Sequence, residues 1–227
     1  MKISVIIPTY NEEQTIEKTL SNVFTNKINF SEVIIVDGKS TDQTKNICNN
    51  FPCKFIESPI KGRGPQMNLG AKISQGEILL FLHADTLLPQ NAHHSIQKAL
   101  KNPRVCAGGF SKIFDQKHFL LNGGIKRSQF RFKWLGIIAG DQGLFVRKEI
   151  FEKAGGYPEI KVMEEFYLCK KLGNLGKLVL LPDFVITSAR RFLHKGIIRC
   201  YFRMYLVAIL YYFKIPPRIL ERVYYAD

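Results

Sequence analysis

Four short stretches of this chain carry side chains that could do chemistry together. His83-Ala84-Asp85 follows an apolar run from Glu77 to Leu82. In an extended segment residues two apart point to the same side, so His83 and Asp85 could face one ion or one diphosphate. A carboxylate is a hard oxygen ligand suited to Mg²⁺ or Mn²⁺, whereas an imidazole suits Mn²⁺ and later metals better than Mg²⁺. Asp85 is therefore the stronger metal candidate; the plainer reading is two polar residues that end a strand. Lys61-Gly-Arg-Gly-Pro-Gln-Met-Asn-Leu-Gly70 sets two cations and flexible backbone ahead of a helix N-terminus, which suits phosphate oxygens. It lacks the third glycine of the dinucleotide fingerprint and is not a Walker A loop, and a solvated turn is the commoner use of such a stretch. Glu164-Glu165 opens a helical run, where two acids favour the helix dipole. The sharper reading makes one of them a general base, taking a hydroxyl proton as that oxygen attacks. The fourth stretch is Asp37-Gly38-Lys39-Ser40, directly behind a strand.

The elements that must position these groups follow from the apolar pattern. Ile3 to Ile7 reads as a buried strand that Pro8 ends, having no N–H for the ladder. A helix follows, capped by Asn11, with Glu12 and Glu13 in its first turn and Ile16, Leu20, Val23 and Phe24 on one face. Glu32 to Val36 is a second strand, with Ser40 and Gln43 spaced as a capping box for a helix to about Asn50. Lys54 to Glu57 is a third strand, and Pro65 starts a helix to about Ile73. Short apolar strands alternating with helices, without polar alternation, imply an α/β fold with a mainly parallel open sheet covered on both faces. Such sheets bind ligands at the carboxyl ends of their strands, where Asp37 and Asp85 would both project. Beyond Asp85 the pattern loosens: 91–100 reads as helix, 105–114 as extended, and 119–135 as basic and aromatic without a firm period.

With 227 residues, 46% of them hydrophobic, the chain can bury one sizeable core. We expect a catalytic domain over 1–185 and a basic, aromatic, helical extension over 186–227. The formal charge of +14 favours anionic partners. Five scattered cysteines suggest neither a zinc site nor a disulfide framework and fit a reducing, cytoplasmic setting. After Met1-Lys2 comes an apolar run of five residues, too short for a signal-peptide core and without a small-residue cleavage site, so the catalytic part is expected not to be exported. In the extension, Arg190, Arg191, Lys195, Arg199, Arg203, Lys214, Arg218 and Arg222 interleave with apolar residues. The apolar core from Met204 to Phe213 is too short for a membrane span of roughly 20 residues. It suits peripheral contact with an anionic membrane, on the inner face of the plasma membrane, or packing of Leu206, Ile209, Leu210 and Phe213 on the catalytic domain.

Taken in order, these motifs resemble the family 2 glycosyltransferases, which have the GT-A fold. Ser4 to Glu13 is similar to their first strand and loop, and Glu32 to Asp42 to their second. Gly62 to Ala71 resembles the donor loop and helix. Leu82-His83-Ala84-Asp85-Thr86 occupies the place of D-x-D, and Gly140 to Arg147 with Met163-Glu164-Glu165 that of the acceptor-side segment and E-D pair. The likeness covers roughly residues 3 to 180. It implies that Pro8, Tyr10 and Glu12 line the nucleotide pocket, that Asp37 bonds the base, and that Arg63 approaches base or phosphate. Asn68, His83 and Ala84 fall on the donor side, and Asp85 would hold Mg²⁺ or Mn²⁺ on the donor diphosphate. Glu165, where aspartate is usual, is the implied base, with Glu164 and Asp141 the alternatives. The implied reaction is inverting transfer from a nucleotide-sugar donor to a hydroxyl acceptor, small or lipid-linked. His83 in place of the first acid of D-x-D and Glu165 in place of aspartate are the two departures.

Two other classes fit less of the sequence. A nucleotidyltransferase of related fold would carry a Gly-rich loop after the first strand, where Pro8-Thr9-Tyr10-Asn11 stands. A non-enzymatic nucleic-acid binder explains the charge and aromatics but leaves Asp37, Asp85 and Glu164-Glu165 without a role, so no nucleic acid is expected as partner.

Overall fold

A computed structural model of the chain describes residues 1–25 and 30–225. The first half alternates strand and helix: β1 (Ile3–Thr9), α1 (Ile16–Thr25), β2 (Glu32–Asp37), α2 (Thr44–Cys48), β3 (Lys54–Glu57), α3 (Arg63–Ile73) and β4 (Ile78–Phe81). Then come β5 (Thr86–Leu87), α4 (Ala92–Leu100), β6 (Val105–Phe114), α5 (Gly124–Leu135), β7 (Leu144–Arg147), α6 (Lys148–Lys153), α7 (Glu164–Leu175) and β8 (Lys177–Thr187). Three helices close the chain, α8 (Arg190–Lys195), α9 (Ile197–Tyr212) and α10 (Pro217–Tyr225). The strands form one sheet in the order β3-β2-β1-β4-β7-β6-β8-β5.

The β3-β2-β1-β4 half is parallel throughout, as the βα alternation implies. Beyond β4 the sheet is mixed, with β7 antiparallel to both β4 and β6 while β6 and β8 run parallel. Both faces are covered, and the register explains the unbroken apolar runs. Ile3, Val5, Ile7, Val33, Ile35 and Leu80 pack with α1 and α4, while Ile6, Ile34, Val36, Leu79 and Phe81 pack with α3 and α7. Gly70 lets α3 lie close on β1 and β2, since a Cβ there would fall inside contact distance of Ile6 and 3.2 Å from Val36 Cγ2.

Pro8 does not end β1, which continues to Thr9 with Pro8 opposite Val36. The reason is side. Thr9 O accepts from Gly38 N toward β2, and Ile6 O accepts from Leu82 N toward β4. Pro8 shares the direction of Ile6, and pairing with β4 stops at Ile6 opposite Phe81, so the missing donor falls where no ladder partner exists.

A division at 185/186 would cut β8, which runs to Thr187 beside Phe114. The closing helices pack on the sheet domain through two apolar clusters, one joining Leu121 to Phe192 and Cys200, the other Val162 to Val207 and Leu220. Leu210 joins the second cluster, while Ile209 and Phe213 stay exposed at 54% and 75%, so the extension packs along one face only.

Candidate functional site

The carboxyl ends of β1 and β2 hold a loop pair built around Asp37. Its Oδ1 accepts from Thr9 Oγ1 (2.8 Å) and Ser40 Oγ (2.6 Å), and its Oδ2 from Ser40 N (2.7 Å). A carboxylate has about four acceptor sites, so one on Oδ2 stays open for a ligand donor. This corrects the role of Ser40, whose hydroxyl belongs to Asp37 and not to a cap on α2. Asn11 is not a helix cap either: it sits at φ 53°, and its Oδ1 accepts from Thr41 N at 2.9 Å, tying the two loops together. Gln66 Nε2 seals them from below, donating to Thr9 O (2.8 Å) and Val36 O (2.7 Å). Above them Tyr10 is 41% exposed, with Lys61 Nζ 3.2 Å from its ring centre. Pro8 lies buried beneath, part of the floor and not of the surface.

At the end of β4, residues 83–86 form a turn closed by Thr86 N donating to His83 O (3.2 Å). The extended geometry expected of His83 and Asp85 is absent, yet both still feel the Asp141 carboxylate. Ala84 is not donor-facing. It is 4% exposed, packs in the apolar cluster, and its carbonyl accepts from Thr19 Oγ1 at 2.7 Å. Burial, then the Glu12 and Asp141 carboxylates, push Asp85 up to about 6, while Arg190 pulls it back. Arg190 Nη2 donates to Glu12 Oε2 at 2.7 Å, so the first residue of α8 reaches this corner. Burial, helped by the Arg63 charge, presses His83 down to about 4, which leaves a neutral imidazole at neutral pH.

The third corner joins α3, α7 and the 3₁₀ turn Gly140–Gln142. Arg63 is paired here: its Nη2 lies 2.9 Å from Glu164 Oε1, though no N–H is aligned on either Glu164 oxygen as a hydrogen bond. Burial raises the carboxyls of both Glu164 and Glu165, and Arg63 opposes it. Both are buried, Glu164 at 1% and Glu165 at 8% exposure, so Glu165 keeps the larger opening of the two. A Cβ on Gly140 would sit 2.5 Å from His83 Nε2 and closer still to Glu165 Oε1, which places base candidate and imidazole around one point. Asp141 is held by Lys112 Nζ. Burial alone would lift its carboxyl, but Lys112, His83 and Arg131 more than offset that and hold it below the usual range.

Buried polar atoms without a hydrogen bond concentrate here. Among the described residues they are His83 Nε2, Asp141 Oδ1, both Glu164 oxygens, Tyr157 Oη, Arg131 Nε and Tyr201 Oη. Unsatisfied buried groups are expensive, and a cluster of them marks a place prepared for a ligand. Backbone strain points the same way: Asn11, Lys39 and Met163, at φ 53°, 65° and 64°, stand in the two strand-end loops and directly before Glu164.

Asn68 proves a fastener and not a donor contact. Its Nδ2 donates to Tyr157 O and its Oδ1 accepts from Tyr157 N, both at 2.9 Å, clamping the turn before α7 to α3. Asn68→Ala leaves both Tyr157 backbone groups without their partner and is expected to cost about 1–3 kcal/mol, read from denaturant unfolding.

The sequence reading missed Lys112, Arg131, Tyr157 and the inward role of Arg190. Lys112 carried a signal, a cation buried at 7% in an otherwise apolar strand. Arg131 and Arg190 stood among other basic residues and had none. A cavity of about 610 Å³ lies elsewhere, at the edge where β6 and β8 begin, lined by Arg104, Arg147 and Lys177 among others, and touches none of these groups.

Residues 4–155 match the family model described as glycosyl transferase family 2. The chain is 28% identical over 200 residues to a probable glycosyltransferase, YdaM, of Bacillus subtilis, covering 77% of this chain and 47% of that protein. It is 28% identical over 187 residues to a poly-beta-1,6-N-acetyl-D-glucosamine synthase of Staphylococcus epidermidis, covering 75% and 45%. The chain thus spans about half the length of the curated relatives it matches. Among solved structures, the Pyrobaculum calidifontis mannosyltransferase PcManGT in complex with GDP-Man and Mn²⁺ is similar at TM-score 0.71 and 22% identity, over 99% of this chain and 69% of that one. S. aureus TarS 1-349 in complex with UDP-GlcNAc is similar at TM-score 0.66 and 21% identity, over 83% and 58%.

Proposed function

The chain belongs to glycosyl transferase family 2 and is a glycosyltransferase of GT-A fold; from that premise we propose that it moves a sugar from a nucleoside-diphosphate sugar to a hydroxyl acceptor with inversion. The observation that carries the reading is the convergence of Glu165, His83 and Gly140 on one point, within the field of Asp141, beside the strand ends that hold Asp37 and Asp85. Asp37, with one open acceptor site, takes an N–H of the base, and Tyr10 with Lys61 forms the rim. Glu165 takes the acceptor's hydroxyl proton as that oxygen bonds the anomeric carbon. The bond from that carbon to the diphosphate oxygen breaks, and the nucleoside diphosphate leaves with the electron pair.

The residues fit a divalent ion. Among the described residues the Asp85 carboxylate has only a long 3.4 Å contact with Thr86 Oγ1, and a cation would stabilise the ionised form that its surroundings disfavour. Among the described residues no three His, Cys, Asp or Glu side chains converge, so donor oxygens would complete the shell around Asp85. Mg²⁺ or Mn²⁺ held there would supply positive charge to the departing diphosphate. Lys112 keeps Asp141 ionised and oriented, which makes Asp141 a positioning group and leaves the proton to Glu165. The acceptor is a hydroxylated molecule, small or lipid-linked, met at the cytoplasmic face of a membrane.

A donor panel read by thermal shift, opening with UDP-GlcNAc and GDP-mannose with and without Mn²⁺, tests this. A true donor at 100 times its Kd adds about 2.7 kcal/mol of stability. Asp85→Ala is expected to abolish the Mn²⁺-dependent part of the shift. If no nucleotide-sugar stabilises the protein, or the Asp85→Ala shift keeps its metal dependence, the assignment is wrong.

A further inference from the structure

The helix α9 is anchored on one side and bare on the other. Cys200 and Val207 are buried in the two clusters that join it to the domain. Tyr211 packs edge-on against Phe166 and Tyr167, with ring centres 5.5 and 4.9 Å apart, in the first turn of the helix that carries Glu164 and Glu165. On the far side Ile198, Phe202, Tyr205, Ile209, Tyr212 and Phe213 follow one another at i, i+4, i+7, i+11, i+14 and i+15. Each of them is between 53% and 75% exposed. At 100° per residue they occupy one stripe about 100° wide with no charged side chain in it. Alongside, Arg127 of α5 sits over the Tyr201 ring (5.1 Å), and α5 bares Phe130 and Trp134, 67% and 66% exposed. A contiguous apolar surface of this kind marks an interaction site.

Charge decides the occupant. From Arg190 to Arg218 the chain has seven Lys and Arg and no acid, and Lys195, Arg199, Lys214 and Arg218, near the two ends of α9 in sequence, are all exposed. A second copy seated on the stripe would bring two such basic borders together. Nucleic acid would meet the cations and could stack on Phe202 and Tyr205, but it would leave Ile198 and Ile209, which offer no stacking face, exposed to water. An anionic bilayer takes both features, apolar side chains in the acyl boundary and cations on the headgroups. Among the described residues no helix is long and apolar enough to cross a membrane.

We propose that the bare stripe of α9, flanked by α5, docks the protein in plane on an anionic lipid surface. The docked face lies one helix away from Glu165, so an acceptor held in the bilayer meets the base side of the site. The docking rests on the transferase reading only for that last consequence, and it is tested without donor.

The full chain is to be sedimented with vesicles of phosphatidylcholine, alone or mixed with phosphatidylglycerol. Binding is expected to the anionic mixture and to weaken with salt. Ile198→Ser, Phe202→Ser and Ile209→Ser should each lower partitioning roughly tenfold or more, since each removes an inserted apolar group. Arg199→Glu with Lys214→Glu should remove the preference for phosphatidylglycerol. All five side chains are exposed, so circular dichroism and the thermal unfolding midpoint without ligand should stay unchanged and certify the fold. No vesicle binding by the parent, or equal binding by the serine variants, overturns the proposal. So does a dimer seen by light scattering that those variants dissociate, or stripe-dependent binding of an oligonucleotide in place of vesicles.

Discussion

Glu165→Gln is expected to lower kcat by roughly two to four orders of magnitude while the donor-induced thermal shift survives. Glutamine keeps the shape and cannot take a proton, so the loss falls on the chemical step. Three acids compete for this role, and their surroundings separate them. Asp141 is held ionised by Lys112, with burial outweighed, and an acid held below the usual range is a weak base. Glu164 is 1% exposed and faces Arg63 at 2.9 Å, which makes it the partner that fixes Arg63 at the start of α3. Glu165 keeps an opening, and burial raises its carboxyl against the pull of Arg63. The sign of the pH dependence follows. A base works only when ionised, and here ionisation is displaced upward from the ordinary carboxylate range. The kcat profile should therefore fall as pH drops through a limb above that range, and Glu165→Gln should flatten the limb. Glu164 and Glu165 titrate as a pair, so the limb belongs to both, and Glu164→Gln should turn it into the titration of a single group without removing it. A Glu165→Gln enzyme turning over at the parental rate with the parental limb would return the role to Glu164 or Asp141.

Much of this site was legible because it rests on local pattern. Apolar runs ending in acids placed Asp37 and Asp85 at strand ends, and two acids after a Gly-Gly-Tyr-Pro turn placed Glu164 and Glu165 at a helix start. What stayed hidden depends on contacts across the sheet. Ser40 looked like a cap because hydroxyl and spacing are right, but the Asp37 carboxylate three residues back is a better partner than a backbone N–H on a five-residue helix. Asn68 looked donor-facing because its motif is, yet its amide is spent on a backbone 89 residues away. Arg190 read as one of many tail cations; only the fold, which brings the start of α8 to the loop after β1, takes it to Glu12. The same holds for the α9 stripe. Its period was present in the sequence, but which apolar residues face the domain and which face out is decided by Val162 and Leu121, in other elements.

Gly140→Ala is the second large effect expected, and it tests the geometry without removing any charged or hydrogen-bonding group. The glycine has no unusual backbone angle to protect, so alanine is tolerated by the chain itself. The cost is steric. The new methyl would meet Glu165 Oε1 and, at 2.5 Å, His83 Nε2, and at least one must move. A shift on the order of 1 Å in a reacting group costs about 100-fold in rate, so kcat should fall by about that factor. Overpacking also costs roughly 1–3 kcal/mol of stability, visible as a lower unfolding midpoint. A purely structural defect behaves otherwise: Gly70→Ala, whose methyl would strike Ile6 in the core, should lose stability with kcat per folded molecule preserved. Pairing Gly140→Ala with His83→Ala separates the two neighbours. Deleting the ring makes room, so Glu165 should regain its place, and the double variant should be faster than the two single losses multiplied together. Strict multiplication would mean that the methyl acts on neither His83 nor Glu165 through a shared space, and the convergence of the two on Gly140 would carry no catalytic meaning.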